Sequence, residues 1–143
     1  MSLRAGEVPR TVVVDSSVAV KWFKRADESA VAEALDLLEQ HRAGEVVLVV
    51  PGHFVAEVLN GLQYGGFDLA EVQTAAGLID EAGLIVVPLA SHLTQPAVEL
   101  AQAHRITIHD ALFPALAMLL DCEFVTADRA QARVSECQVK LLR

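Results

Sequence analysis

Basic residues are scarce in this chain: eleven Lys and Arg stand against nineteen Asp and Glu, for a formal charge of −8. A protein that grips nucleic acid mainly by neutralising phosphates wants the opposite balance. The acidic excess suits a cation-binding carboxylate cluster or a basic protein partner. Cysteine is nearly absent as well. Cys122 and Cys137 form no C-x-x-C pair and no His-rich tract accompanies them, so two reduced, partly buried thiols are expected rather than a zinc or disulfide framework. No apolar run approaches the roughly 20 residues that span a bilayer. The opening MSLRAGEVPR has no long apolar stretch of the kind a signal peptide carries. A soluble cytoplasmic protein with no membrane association is the expectation. There is no repeat, low-complexity tract or linker, and 143 residues suit one domain over 1–143. What the chain does have is apolar residues, 53% of the total, enough to bury a sizeable core.

Those residues come in short runs. TVVVD (11–15) and EVVLVV (45–50) read as buried strands, and LIVVPL (84–89), EFVTAD (123–128) and a final QVKLL as a third, fourth and fifth strand. Between them the spacing predicts helices. VAVKWF after the first strand is a short one. Residues 27–42 carry Val31, Ala34, Leu35 and Leu38 on one face, with Asp27 as N-cap and Gly44 as stop. Val55, Val58, Leu59 and Leu62 repeat the pattern up to Gly65-Gly66. Leu69, Val72, Ala76 and Ile79 do so before Gly83. Ser91 is the expected cap of a helix bearing Leu93, Ala97, Leu100 and Ala101. Asp110 is expected to open a last long helix to about Leu120, and DRAQARV a short one. Strands alternating with helices predict an α/β fold, a three-layer α/β/α sandwich around a mostly parallel sheet of about five strands.

Ligands of open α/β sheets bind outside the carboxyl ends of the strands, and four acids fall there. Asp15 ends the first strand and Asp128 the fourth. Asp110 stands at a helix N-terminus. Glu57 lies early in the helix after the second strand, with Asn60 three residues on and on the same face. Taken singly, Asp15, Asp110 and Asp128 could be helix caps and Glu57 a solvated residue. Together they imply a site. Two carboxylates about 4 Å apart repel by about 4 kcal/mol at an effective dielectric near 20, and a divalent cation removes the conflict. An all-oxygen set favours Mg²⁺ or Mn²⁺, which can activate water and polarise a phosphodiester.

The segments VVVDSSVAVKWF, PGHFVAEVLNGL, HDALFPALA and FVTADRA, in that order, resemble the motifs of PIN domains, and most of all those of the VapC toxins of VapBC toxin–antitoxin pairs. They run from Val12 to Ala130 and so cover nearly the whole chain. The resemblance implies that Asp15, Glu57, Asp110 and Asp128 form the catalytic, metal-holding set. It implies supporting roles for Ser17, for Asn60 in an E-x-x-N pattern and for Thr126 in T-x-D. It also implies an endoribonuclease acting on structured RNA, a homodimer, and neutralisation by a VapB antitoxin. The chain departs from the pattern at His109 and Phe113, where Tyr is common, and at Pro114, expected about four residues into the last helix.

Other residues weigh less. His109 is expected in a loop contact rather than as a ligand, and His104 as a core or boundary residue. His53, near the Glu57 helix, is left out of the site. Lys21, Lys24, Arg25 and Arg129 are either RNA contacts or ordinary surface charge, while Trp22 and Phe23 suit packing, with an antitoxin contact open in that region. Setting the four site acids aside still leaves the chain acidic, which favours a basic antitoxin tail. Receiver-type and haloacid-dehalogenase-type domains need paired acids after the first strand, and D-S-S stands there instead. The serious alternative is a PIN-fold binding or scaffold module without cleavage.

Overall fold

The computed structural model describes residues 7–25 and 28–143. The elements run β1 (Arg10–Val14), α1 (Ser16–Lys21), α2 (Val31–Arg42), β2 (Val46–Pro51), α3 (Phe54–Tyr64), α4 (Leu69–Glu81), β3 (Ile85–Val87), α5 (Ser91–His104), α6 (Ile108–Leu120), β4 (Glu123–Thr126), a 3-10 turn at Gln131–Arg133, and β5 (Val139–Leu141). The five strands make one sheet in the order β3-β2-β1-β4-β5, and every pair is parallel. The chain thus builds outward from β1 to β3, then returns to the other side of β1 for β4 and β5. Right-handed crossovers in both directions place α1–α4 and α5–α6 on opposite faces. α6 rests on β1, β2 and β4 with α5 behind it, while α1 and α2 pack on β4 and β2. This is the expected α/β/α sandwich.

β1, β2 and β4 lie inside the sheet and read as apolar runs because both their faces are covered. Val12, Val13, Val14, Leu48, Val50 and Phe124 are fully or almost fully buried, as are Phe54 and Phe113 from α3 and α6. Each such side chain contributes about 1.5–3 kcal/mol of burial.

Several sequence expectations shift. β3 is an edge strand of three residues, with Ile85 and Val86 each 51% exposed, so its apolar run marks an edge and not a buried strand. The buried face of α2 is Val31, Ala34, Leu37 and Leu38, with Leu35 turned outward. Leu69 is likewise exposed on α4, where Ala75 and Ile79 are the buried positions. The expected cap Asp27 lies outside the described residues; α2 begins after Ala30, which takes a left-handed φ of 65°. Gly44 and Gly83 follow their helices at φ +78° and +68°, backbone that costs glycine nothing. Ser91 is the first residue of α5, not its cap. α6 starts two residues before Asp110, capped by Thr107, whose hydroxyl accepts the Asp110 N–H. Pro114 is therefore well inside α6, and the bond it deletes is the one to the Asp110 carbonyl. His104 is a boundary residue, partly buried at the end of the α5 stripe with its Nε2 2.8 Å from Glu136 Oε1.

Trp22 is buried and its indole N–H donates to the Ala34 carbonyl at 2.9 Å, tying α1 to α2. Phe23 packs on the same core. Cys122 and Cys137 are free and half-buried, and burial pushes both thiols up, Cys137 to about 11. Thiols held protonated in this way are poor nucleophiles.

Candidate active site

The strand order reverses between β1 and β4, and a crevice opens at such a switch point beyond the strands' carboxyl ends. Asp15 follows β1 immediately and Asp128 follows β4 by one residue. The Asp15 N–H still bonds the Val125 carbonyl at 2.9 Å, so the residue is held by both central strands.

Asp15 caps α1, as one expectation had it, but it does more. It is only 1% exposed. Its Oδ2 accepts from the Ser17 backbone N–H and hydroxyl, from the Thr126 hydroxyl at 3.1 Å and from Gln131 Nε2 at 3.1 Å. Its Oδ1 is buried without a partner among the described residues. One oxygen is saturated and the other is left bare. Burial pushes the Asp15 carboxyl up to about 6, against the pull of the Ser17, Thr126 and Gln131 hydrogen bonds, and the charge of Asp110 adds to the rise.

Ser17 and Thr126 both donate their hydroxyls to the Asp15 carboxylate. Each also orients the loop after β4: the Ser17 hydroxyl accepts the Ala127 N–H at 3.0 Å and Thr126 Oγ1 accepts the Asp128 N–H at 3.0 Å. Asp128 Oδ1 accepts the Ala130 N–H at 2.8 Å, which turns the chain into the 3-10 segment and aims Gln131 back at Asp15.

Asp110 stands in the first turn of α6, where the helix dipole favours a negative charge. Its carboxyl is nevertheless raised, by burial first and then by the charges of Glu57 and Asp128, against smaller downward pulls from Thr107 and His109. Asp110 is therefore near enough to the other three acids for their charges to be felt. Glu57 Oε1 accepts the Ser16 hydroxyl at 3.0 Å, linking α3 to α1. Among the described residues no three acid, His or Cys side chains stand close enough together to hold a metal ion as they are placed. Four uncompensated carboxylates resist closer approach, at about 4 kcal/mol per pair at 4 Å. The bare Asp15 Oδ1 and the all-oxygen donor set suit a hard divalent cation.

Asn60 shares the Glu57 face but is exposed and makes no side-chain hydrogen bond among the described residues. His109 is in the first turn of α6 and not in a loop; its carbonyl lies 2.8 Å from His53 Nε2. That same nitrogen is 3.7 Å from Glu57 Oε1, and the His53 ring stacks 5.0 Å from Phe113. His53, set aside on sequence, braces the α3 and α6 ends of the site. Gln131 and Ser16 were also missed. Only Ser16 carried a signal, as the neighbour of Asp15; nothing in the sequence sets Gln131 apart.

The basic cluster divides. Lys24 sits over the Phe67 ring, 5.5 Å from its centroid. Lys21 and Arg129 instead line a shared cavity beside Ala127.

A five-stranded parallel sheet with acids near its switch point is the frame of a small class of α/β domains. The PIN-domain family model matches residues 12–136, and the chain belongs to that family. No curated protein matches the chain in sequence. Solved structures share the fold. VapBC2 from Rickettsia felis, bound to a promoter DNA fragment, superposes with a TM-score of 0.69 at 14% identity, covering 93% of this chain and 99% of that one. VapC20 of Mycobacterium tuberculosis, a toxin that cleaves the sarcin–ricin loop, gives 0.67 at 16% identity over 89% and 98%. VapBC-1 of nontypeable Haemophilus influenzae gives 0.64 at 17% over 92% and 97%. Among the described residues no helix is long and apolar enough to cross a membrane.

Proposed function

We propose that the chain is a single PIN domain over 1–143 acting as an Mg²⁺- or Mn²⁺-dependent endoribonuclease, the toxin of a type II toxin–antitoxin pair. The observation that carries the reading is the Asp15 carboxylate: buried at the switch point, one oxygen holding four donors and the other bare. Keeping such a group charged costs folding energy, and a bound cation recovers it. Asp15, Asp110, Glu57 and Asp128 would hold the ion. When bound, it supplies a nucleophilic water and neutralises charge on the phosphodiester.

The chain's own side chains do the rest. Ser17, Thr126 and Gln131 fix Asp15 through Oδ2 and leave Oδ1 as the oxygen that would take the ion. Thr126 and Ala130 hold Asp128 in place through the backbone. Ser16 and His53 orient Glu57. RNA is favoured as substrate because VapC20, which has the same fold, cleaves an RNA loop. The VapBC neighbours support a VapB-like antitoxin as partner, and the acidic charge of −8 suits a basic antitoxin segment. A homodimer in the cytoplasm completes the reading.

Purified protein with RNA and Mn²⁺ tests it. Cleavage that vanishes with chelator, and falls by more than about 100-fold in Asp15→Asn and Asp110→Asn, is the expected result; outer partners of a metal site alone cost 10–100-fold. Cleavage untouched by Asp15→Asn, or stable binding of a protein partner with no cleavage in any divalent metal, would overturn it.

A further inference from the structure

The acid edge has a basic neighbour. A cavity of about 270 Å³ lies between the end of α1, the loop after β4 and the end of β5, lined by Lys21, Arg129 and Arg143 together with Ser29, Leu141 and Leu142. Three of the chain's eleven cations meet here, in a protein whose formal charge is −8. None of the three pairs with an Asp or Glu side chain among the described residues. By contrast Arg10 pairs with Glu123 at 3.2 Å and Lys24 sits on Phe67. Like charges gathered without an Asp or Glu partner repel, so the cavity favours an anion.

Its position says which anion. Ser17 and Lys21 are four residues apart in α1 and share a face, about 6 Å along the helix. Ser17 touches Asp15 and the Ala127 N–H, and Ala127 is in the cavity wall. Arg129 follows Asp128 directly. The cavity is therefore the next station along the sheet edge from the carboxylates. Its apolar side, Leu141 and Leu142, suits a sugar, and the Ser29 hydroxyl and the cations suit a phosphate.

We infer that this cavity binds a backbone phosphate and its ribose in a strand of RNA, beside the bond presented to the acids. The inference rests on the ribonuclease reading above. It answers the charge paradox of that reading: the chain needs no basic surface overall if three of its cations gather where the strand leaves the acids.

The test measures binding rather than cleavage. A fluorescein-labelled single-stranded RNA oligonucleotide is titrated in Mn²⁺, across a salt series, against protein carrying Asp110→Asn to spare the probe. Adding Lys21→Gln with Arg129→Gln is expected to weaken binding about tenfold and to flatten the log–log salt slope by about 1.4, the value for two lost contacts to a single strand. The charge-conserving pair Lys21→Arg with Arg129→Lys should keep the parent slope. So should Arg42→Gln, at the far end of α2. Unchanged affinity and slope in the double Gln variant overturn the inference, while Mn²⁺-dependent RNA cleavage by the parent chain would leave the ribonuclease reading standing. An acidic oligopeptide whose binding is lost in that variant while RNA binding persists overturns it in favour of a protein ligand. If no variant binds RNA and the parent cleaves none, both fall.

Discussion

Asp15 and Asp68 begin as the same device. Each is an aspartate in extended backbone just before a helix, and each accepts a hydrogen bond from a first-turn N–H. At Asp68 the device is complete: its side chain accepts the Glu71 N–H at 2.8 Å, Glu71 returns a bond at 2.9 Å, and the pair is exposed. At Asp15 the cap is a by-product. The same kind of side chain, sealed between two central strands, collects donors from Ser17, Thr126 and Gln131 and keeps one oxygen in reserve. Local geometry makes a cap; burial and the company of other acids make a candidate ion ligand.

The sharpest way to break the comparison is pH. The Asp15 carboxyl lies at about 6 in the fold against an ordinary 3.8, so the folded state favours the proton. Stability from this group is present below pH 4 and is lost as pH rises through 6. Metal-free protein should lose about 3 kcal/mol between pH 4 and pH 7, with Asp110 adding in the same direction. Denaturant titrations across that range measure it. Asp15→Asn should flatten the curve, and saturating Mn²⁺ should offset the loss at pH 7.

Next comes the cradle around Asp15. Thr126→Val and Gln131→Leu each remove one donor to Oδ2, and each should weaken Mn²⁺ affinity 10–100-fold in a calorimetric titration. Wild-type affinity in both variants would mean that the free oxygen needs no such support. Asp68→Ala is the control on the other side: it should cost about 1 kcal/mol of stability and leave RNA cleavage untouched. The smallest effect concerns the entry to α2. Ala30 pays for a left-handed φ of 65° with a Cβ in the way. Ala30→Gly should raise stability by about 0.5 kcal/mol, read from the denaturation midpoint at constant m-value.

Much of this was open to reading in the chain. The runs at 11–15, 45–50 and 123–128 are buried strands because an interior parallel strand has no solvent face to display. The run at 84–89 looked alike, yet its strand is the edge, because composition cannot tell how many neighbours a strand will have. The stripe of α5 was legible in full, whereas Leu35 and Leu69 belonged to apolar patterns that other elements never covered. Pro114 and Asp110 were misplaced along α6 because Thr107, and not Asp110, caps it.

The sequence by itself determined the alternation of strands and helices, the family, and the four acids, since periodicity and motif are properties of neighbours along a chain. The tertiary structure alone decided which oxygen of Asp15 stays free, that Gln131 and His53 brace the site while Asn60 does not, and that Lys21 and Arg129 share a cavity. Those facts depend on distances between residues up to 116 positions apart in the chain, and no local pattern encodes a distance that only packing sets.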